Sequence, residues 1–349
     1  MLKGYNKNLE YYLPAEWAKQ KSTWIAWPHN KKDWPNKFRS IPSVFSEIIS
    51  KISKYQKVNI LIEKRTIKKK INLYLKEYLA NTKNVNFAVC KTNRAWLRDS
   101  FPIFVKDKNK NKVLMDWEFN GWAKYKNFYH DNNICCKIKK LLHLRSIKPI
   151  LKNRKIILEG GSIDVNGKGV LLTTLQCLQS NIQVRNPGLK KKEYEYLFKK
   201  FLGIRKVIWL NRGIVGDDTH GHIDDIARFI NEKKIFLAFE TNKKDINYKS
   251  LKENYKILKK TNMAKKFKII KIPMPQAKYI NRTRVPASYL NFYIANRVVL
   301  VPIFNDRKDK IVIKIFEKHF KNRKVIPVDC SSLIWGFGAI HCMTQQEPN

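Results

Sequence analysis

The stretch "LEGGSIDVNGKGVLLTT", residues 158–174, holds a fold signal and a chemical signal side by side. Its second part reads as a β-hairpin. "SIDV" and "VLLTT" flank a turn at Asn166-Gly167, a dipeptide that accepts positive φ in tight hairpins. Its first part sets a carboxylate, Glu159, ahead of Gly160 and Gly161. Twin glycines let a ligand or another backbone approach closely. Downstream, "KKEYEYLFKKFLG" (191–203) has apolar residues at helical spacing, and "KVIWL" (206–210) reads as a strand. Hairpin, helix and strand in succession define an α/β unit.

Working outward, the same alternation recurs without a clean sequence repeat. "VNILIEK", "VNFAVC", "FPIFVK", "KKIFLAF", "KIIKIPM", "RVVLVPIF" and "KVIPV" read as further strands. "IPSVFSEIISKISK", "IKKKINLYLKEYL", "YKSLKENYKILKK" and "KIVIKIFEKHF" read as helices. Pro42 suits an early helical position, and Gly203 suits a helix C-terminus. No Pro/Gly/Ser linker divides the chain, so residues 1–349 are expected to form a single α/β domain.

Composition narrows the function classes. Apolar residues make up 44% and aromatics 12%, which suits a buried core and excludes a disordered chain. No run of eighteen apolar residues occurs, and the N-terminus lacks the apolar core of a signal peptide, so no membrane contact and a cytoplasmic location are expected. The six cysteines form neither a disulfide framework nor a CxxC pair. The net charge of +43 suggests nucleic acid, but the lysines are spread along the chain. A solvated lysine surface without a specific nucleic-acid partner is the expectation, with a basic polyanion-binding protein as the non-catalytic alternative.

Polar clusters lie between the periodic runs, where loops at strand ends carry chemistry in α/β folds. "DDTHGHIDD", residues 217–225, holds four carboxylates and two histidines. In extended backbone His220, His222 and Asp224 would share a face. That pattern fits a zinc site, an imidazole oriented by carboxylates for proton transfer, or a solvated turn capped by aspartates. "AWLRDSFPIFV" offers Trp96, Arg98 and Asp99, and adjacent Arg and Asp are often a structural ion pair. Glu159 could equally be a turn residue. In "GAIHCMTQQ", Cys342 is either an inert buried thiol or a nucleophile. No phosphate loop, HExxH or GxSxG occurs.

Taken in order, "WIAWPHN", "NRAWLRDSFP", "DWEFNGW", "LEGGSIDVNGKGVLLTT", "VRNP", "GDDTHGHIDD", "YLNFYIANRVVLVPIFND" and "IHCMTQQEP" resemble the agmatine deiminase and bacterial peptidylarginine deiminase family over nearly the whole chain. The resemblance implies a five-bladed, pseudo-symmetric α/β propeller of the pentein kind. It implies that Cys342 attacks a guanidinium carbon, with His222 as general acid and base. Asp99 and Asp224 would hold the guanidinium, Glu159 and Asp218 would support, and Trp96 would stand beside the substrate. No metal or organic cofactor is implied. The partner is a small guanidine, and a homodimer stays open. The implied reaction converts agmatine to N-carbamoylputrescine and ammonia, toward putrescine. Arginine or peptidylarginine deimination and amidino transfer use the same chemistry. The chain departs from the common family pattern at Arg94, Phe101, Phe337 and Ala339. A cationic Arg94 would either oppose the distal amine of agmatine or point away from it.

Overall fold

The computed structural model describes residues 10–260 and 266–349. Residues 1–9, part of the stretch read as lacking an apolar leader, lie outside the described residues. In chain order the framework is β1 (Gln20–Ala26), α1 (Ile41–Ser53), β2 (Lys57–Ile62), α2 (Lys68–Glu77), β3 (Val85–Val89), β4 (Ile103–Asp107), β5 (Lys112–Met115), α3 (Ile134–Leu142), β6 (Ser146–Ile147), β7 (Asp164–Val165), β8 (Val170–Thr174), α4 (Lys191–Leu202), β9 (Lys206–Leu210), β10 (Ala227–Asn231), β11 (Lys234–Phe239), α5 (Tyr248–Lys260), β12 (Lys268–Pro273), β13 (Tyr293–Ala295), β14 (Val298–Ile303), α6 (Asp309–His319), β15 (Lys324–Asp329) and β16 (Thr344–Pro348).

One connection pattern recurs. A short first strand turns antiparallel into a second, a helix crosses over, and a third strand pairs parallel to the second. β4–β5–β6, β7–β8–β9, β10–β11–β12 and β13–β14–β15 each follow it. Parallel neighbours require such a crossover, which α3, α4, α5 and α6 supply. The fifth unit is assembled from both ends of the chain. β16 pairs antiparallel with β1, with Ile25 opposite Thr344, and β1 pairs parallel with β2 across α1. β3 extends that sheet by one parallel strand. The result is a mixed α/β fold in which five small sheets form the units and two two-stranded hairpins, at 150–155 and 278–285, stand apart, with no single closed sheet among the described residues.

Local chemistry explains the elements. The β7–β8 hairpin turns over residues 166–169. Asn166 Oδ1 accepts from the amides of Lys168 (2.9 Å) and Val170 (3.0 Å), and Gly167 and Gly169 take φ of 65° and 79°. α4 opens with Glu193 accepting from the Lys190 amide at 2.8 Å and closes on Gly203 at φ 69°. Pro42 stands in the first turn of α1. β14 is apolar and buried on both faces, with Val298, Val299, Leu300 and Val301 all fully buried. Between units, Phe316 packs edge-on against Phe236 (4.9 Å) and Phe292 (5.0 Å). Aromatic pairs of this kind add about 0.5–1.5 kcal/mol beyond area burial. Among the described residues no helix is long and apolar enough to cross a membrane.

This plan brings chemistry to one place. Immediately before the first strand of each unit the chain makes a short turn: Leu97–Ser100, Gly160–Ser162, Ile223–Asp225, residues 288–291 and Ile340–Met343. On or beside them sit Asp99, Glu159, His222 with Asp224, Asn291 and Cys342.

Candidate active site

All five turns carry buried polar groups, and the groups meet. Gly161 marks the centre: a Cβ there would lie 2.6 Å from His222 Nδ1, 2.7 Å from Asp99 Oδ1 and 3.1 Å from Asp224 Oδ2. Cys342 Sγ lies 3.7 Å from Asp224 Oδ2. The thiol and Asp99 line an open cavity of about 680 Å³ with Trp96, Trp122, Tyr125, Asp218 and Phe337. The structure therefore brings Cys342, Asp99, Asp224, His222 and Glu159 together, with Trp96 beside them and Asp218 farther out.

Each group is held by named neighbours. Asp99 accepts from the Gly161 amide (3.0 Å) and from Trp122 Nε1 (2.9 Å). His222 stands between Asp99, 3.7 Å from Nδ1, and Glu159, 3.8 Å from Nε2. Glu159 is gripped by Arg185 Nε at 2.9 Å. Asn291 holds Cys342 twice: its Nδ2 donates to Cys342 Sγ (3.0 Å) and its Oδ1 accepts from the Cys342 amide (3.2 Å). His341 Nδ1 lies 2.7 Å from Asp224 Oδ2, and its Nε2 lies 2.8 Å from Glu16 Oε2. Among the described residues, neither His222 ring nitrogen, nor Asp224 Oδ1, nor Glu159 Oε2 has a hydrogen-bond partner, although all are buried. Unmet buried polar atoms are costly, and the two carboxylate oxygens among them suit a ligand rich in donors.

Charge follows from this crowding. Burial raises Asp99 to about 6, with Asp224 and Glu159 adding to the rise and His222 opposing it. Burial alone would strip His222 of its proton, but Asp99, together with Cys177 and Glu159, holds it well above the usual histidine range. Burial and the carboxylates of Asp224, Asp225 and Asp99 push the Cys342 thiol well up, against the Asn291 hydrogen bond. These directions favour a protonated thiol and a charged imidazole. Burial would also raise Glu159, yet Arg185 and His222 hold it at about 2, below its ordinary 4.5. A depressed carboxyl stabilises the fold fully above the ordinary value, and that contribution drains away as pH falls toward the depressed one. Thermal unfolding of Glu159→Gln between about pH 5 and pH 2.5 is expected to show a shallower acid decline than the parent.

Several expectations need correction. "DDTHGHIDD" is not extended: His220 and Gly221 take φ of 64° and 97°, which turns His220 away to Ser180 Oγ (2.9 Å). The His220–His222 zinc pairing is not formed. Glu159, Cys177 and His222 do offer three donor atoms within 4.8 Å of one another, a different set from the one expected; Arg185 takes Glu159 Oε1 and leaves Oε2 facing His222. Arg98 pairs with Glu16 at 3.3 Å and not with its neighbour Asp99. The four aspartates differ in task. Asp217 accepts from the Gly221 (2.7 Å) and His222 (2.9 Å) amides, Asp218 takes Tyr125 Oη (2.6 Å) and Lys124, Asp224 faces the thiol, and Asp225 accepts from Asn291 (3.0 Å). Arg94 lines the cavity mouth, ion-paired with Asp33, its guanidinium 4.1 Å from the Tyr125 ring centre. Phe101 packs away from the cavity against Trp24 (5.2 Å), Phe337 lines the cavity, and Ala339 is buried behind it.

Sequence reading missed Asn291, His341, Glu16, Trp122 and Arg185. Asn291 stands in an apolar run with no flagged neighbour, His341 goes unnoticed beside the flagged Cys342, and Glu16 lies 325 residues from the histidine it meets. The only cue for Arg185 was its place in "VRNP", a motif quoted without a role.

The architecture defines a mixed α/β fold whose structural neighbours belong to the pentein class. SxtG, an amidinotransferase from Microseira wollei, shares the fold alone, at 13% identity over 97% of this chain and 96% of that one, with a TM-score of 0.50. Within that class the chain belongs to the Porphyromonas-type peptidyl-arginine deiminase family, whose model matches residues 12–348. A C. jejuni agmatine deiminase with substrate bound, in a form with one cysteine replaced by serine, is 31% identical. That match covers 99% of this chain and 98% of that one, with a TM-score of 0.87. An agmatine deiminase of Enterococcus faecalis is 27% identical over 97% and 96% of the two chains, also with a TM-score of 0.87.

Proposed function

We propose that this protein is a hydrolase of linear amidines, an agmatine deiminase that releases ammonia and N-carbamoylputrescine. The observation that carries the reading is the convergence of Asp99, Asp224 and His222 around Gly161, with the Cys342 sulfur 3.7 Å from Asp224. In this reading the five units stand around one axis as propeller blades of a single catalytic domain, and their turns meet at its centre.

A guanidinium is planar, always charged and rich in N–H donors. Asp99 and Asp224 accept those donors through charge-assisted hydrogen bonds and present the carbon to Cys342. Holding the reactants so is worth about 7–11 kcal/mol of barrier. The arriving cation also offsets the carboxylates that keep the thiol protonated, so substrate helps make its own nucleophile. The thiolate adds to the guanidinium carbon. His222, already charged, gives its proton to the departing nitrogen, and ammonia leaves an S-alkylthiouronium. Water then loses a proton to His222 and adds to the same carbon. The C–S bond breaks, and the ureido product is released. Glu159 steadies His222, Trp96 flanks the substrate, and Asp218 with Tyr125 forms the outer wall.

Arg94 favours a second reading, because a cation at the mouth suits a guanidine that bears a carboxylate. Ureido product assayed from agmatine, free arginine and an arginine peptide separates deiminases of the two kinds. Turnover of agmatine alone is expected, arginine alone would establish the second reading, and no turnover of any would sink both. Adding amine acceptors tests amidino transfer by the appearance of a new guanidine. The pH profile of kcat/KM is expected to rise through about 6, as Asp99 ionises in the free enzyme, and to fall only above the usual histidine range, where His222 loses its proton.

A further inference from the structure

We propose that the Cys342 proton leaves the site away from the substrate, through Asp224 and His341 to Glu16. The inference rests on Cys342 acting as nucleophile. Its basis is a continuous hydrogen-bonded line: Sγ to Asp224 Oδ2 at 3.7 Å, Oδ2 to His341 Nδ1 at 2.7 Å, and Nε2 to Glu16 Oε2 at 2.8 Å.

Two cavities bound this line. The larger holds Cys342 and Asp99. A second, of about 30 Å³, is lined by Glu16, Arg98, Asp164, His341 and Gln346 and shares no residue with the first. Neighbours in sequence face opposite ways: Asp99 and Cys342 line one cavity, Arg98 and His341 the other. A volume of about 30 Å³ has room for a single water, and the polar lining suits one.

The chemistry needs such an exit. A guanidinium seated on Asp99 and Asp224 lies across the route to the larger cavity. His222 cannot take the thiol proton while it holds its own for the leaving nitrogen. In the proposed step the S–H bond breaks and its proton bonds to Asp224 Oδ2. His341 accepts that proton at Nδ1 as it releases one from Nε2 to Glu16. The sulfur gains a negative charge, Glu16 loses one, Asp224 ends unchanged, and His341 ends neutral in its other tautomer, to be reset when the proton returns.

Glu16 suits transit and not storage. Burial would raise its carboxyl, but Arg228, His341 and Arg98 hold it well below the usual range, so a proton arriving there passes on to water in the second cavity. The charged groups facing the line are Asp225 and Asp99 on Cys342, His222 on Asp224, Arg228 (3.0 Å) and Arg98 (3.3 Å) on Glu16, and Asp164, which takes Arg228 Nε at 2.6 Å.

The test is single-turnover formation of the covalent adduct in Glu16→Gln and His341→Gln, with iodoacetamide alkylation of Cys342 as control. Glu16→Gln keeps the shape but cannot carry the proton. Adduct formation is expected to slow at least about tenfold with KM little changed, because general acid–base help of this type is worth about 10²–10⁴-fold. Alkylation in the open site should match the parent, which a merely structural defect would not allow. In Glu16→Ala, added formate should restore part of the rate. Where Glu16 variants fail to fold, His341→Gln decides. Adducts formed at the parental rate in a folded variant overturn the relay while the deiminase reading stands. A parent that forms no adduct with agmatine, arginine or an arginine peptide overturns that reading and the relay together.

Discussion

Cys342→Ala is expected to lose more than about 10⁴-fold in kcat/KM, with no covalent adduct detectable by mass spectrometry. The fold should survive. The side chain is small and 6% exposed, and its sulfur has one donor, Asn291 Nδ2, which keeps its second bond to Asp225. Circular dichroism and a melting curve close to the parent would establish this. Guanidine binding should persist or tighten, because removing the thiol leaves Asp99 and Asp224 in place. Full turnover in a folded Cys342→Ala protein would end the assignment of the nucleophile.

Gly161→Ala is the second large effect, and it touches no reacting atom by design. One methyl group would arrive at 2.6 Å from His222 Nδ1 and 2.7 Å from Asp99 Oδ1, distances that real Cβ atoms do not show. Both side chains must move, and neither has room, since each is buried and braced from behind. Displacing groups at a reacting centre by about 1 Å costs about 10²-fold. Overpacking a dense interior costs about 1–3 kcal/mol of stability. The expected signature is a kcat loss of about 10²-fold or more in a protein that still folds. Gly188→Ala is the contrast: its φ of 75° brings strain, but nothing lies within 4 Å, so only stability should fall. A fully active Gly161→Ala would show that the three groups do not share one point.

The sequence exposed the outer framework better than the inner one. All eight strand runs and all five helical runs named at the outset are present, as are the Gly203 cap and the β7–β8 hairpin. β13 has three residues and β7 two, too short for alternation to register, and β16 reads as a polar tail because its partner β1 lies more than three hundred residues away. The site shows the same divide. Asp99, Glu159, His222, Asp224 and Cys342 stood in polar clusters that drew notice. Asn291 and His341 did not, because an amide inside "YLNFYIAN" or a histidine inside "GAIHCM" has the look of packing until the fold gives it a partner. The turn that separates His220 from His222 depends on Gly221 at φ 97°, a conformation that an alternating-face argument does not register.

The fifth unit has a consequence for biogenesis. Cys342 and β16 emerge from the ribosome after the other four units, and β16 must reach back to β1, which was made first. A nascent chain therefore carries both carboxylates, Asp99 and Asp224, while residues 225–341 are added, without the Cys342 thiol set against them. A message cut short before the Cys342 codon is expected to yield an inert product, however well its other strands have formed.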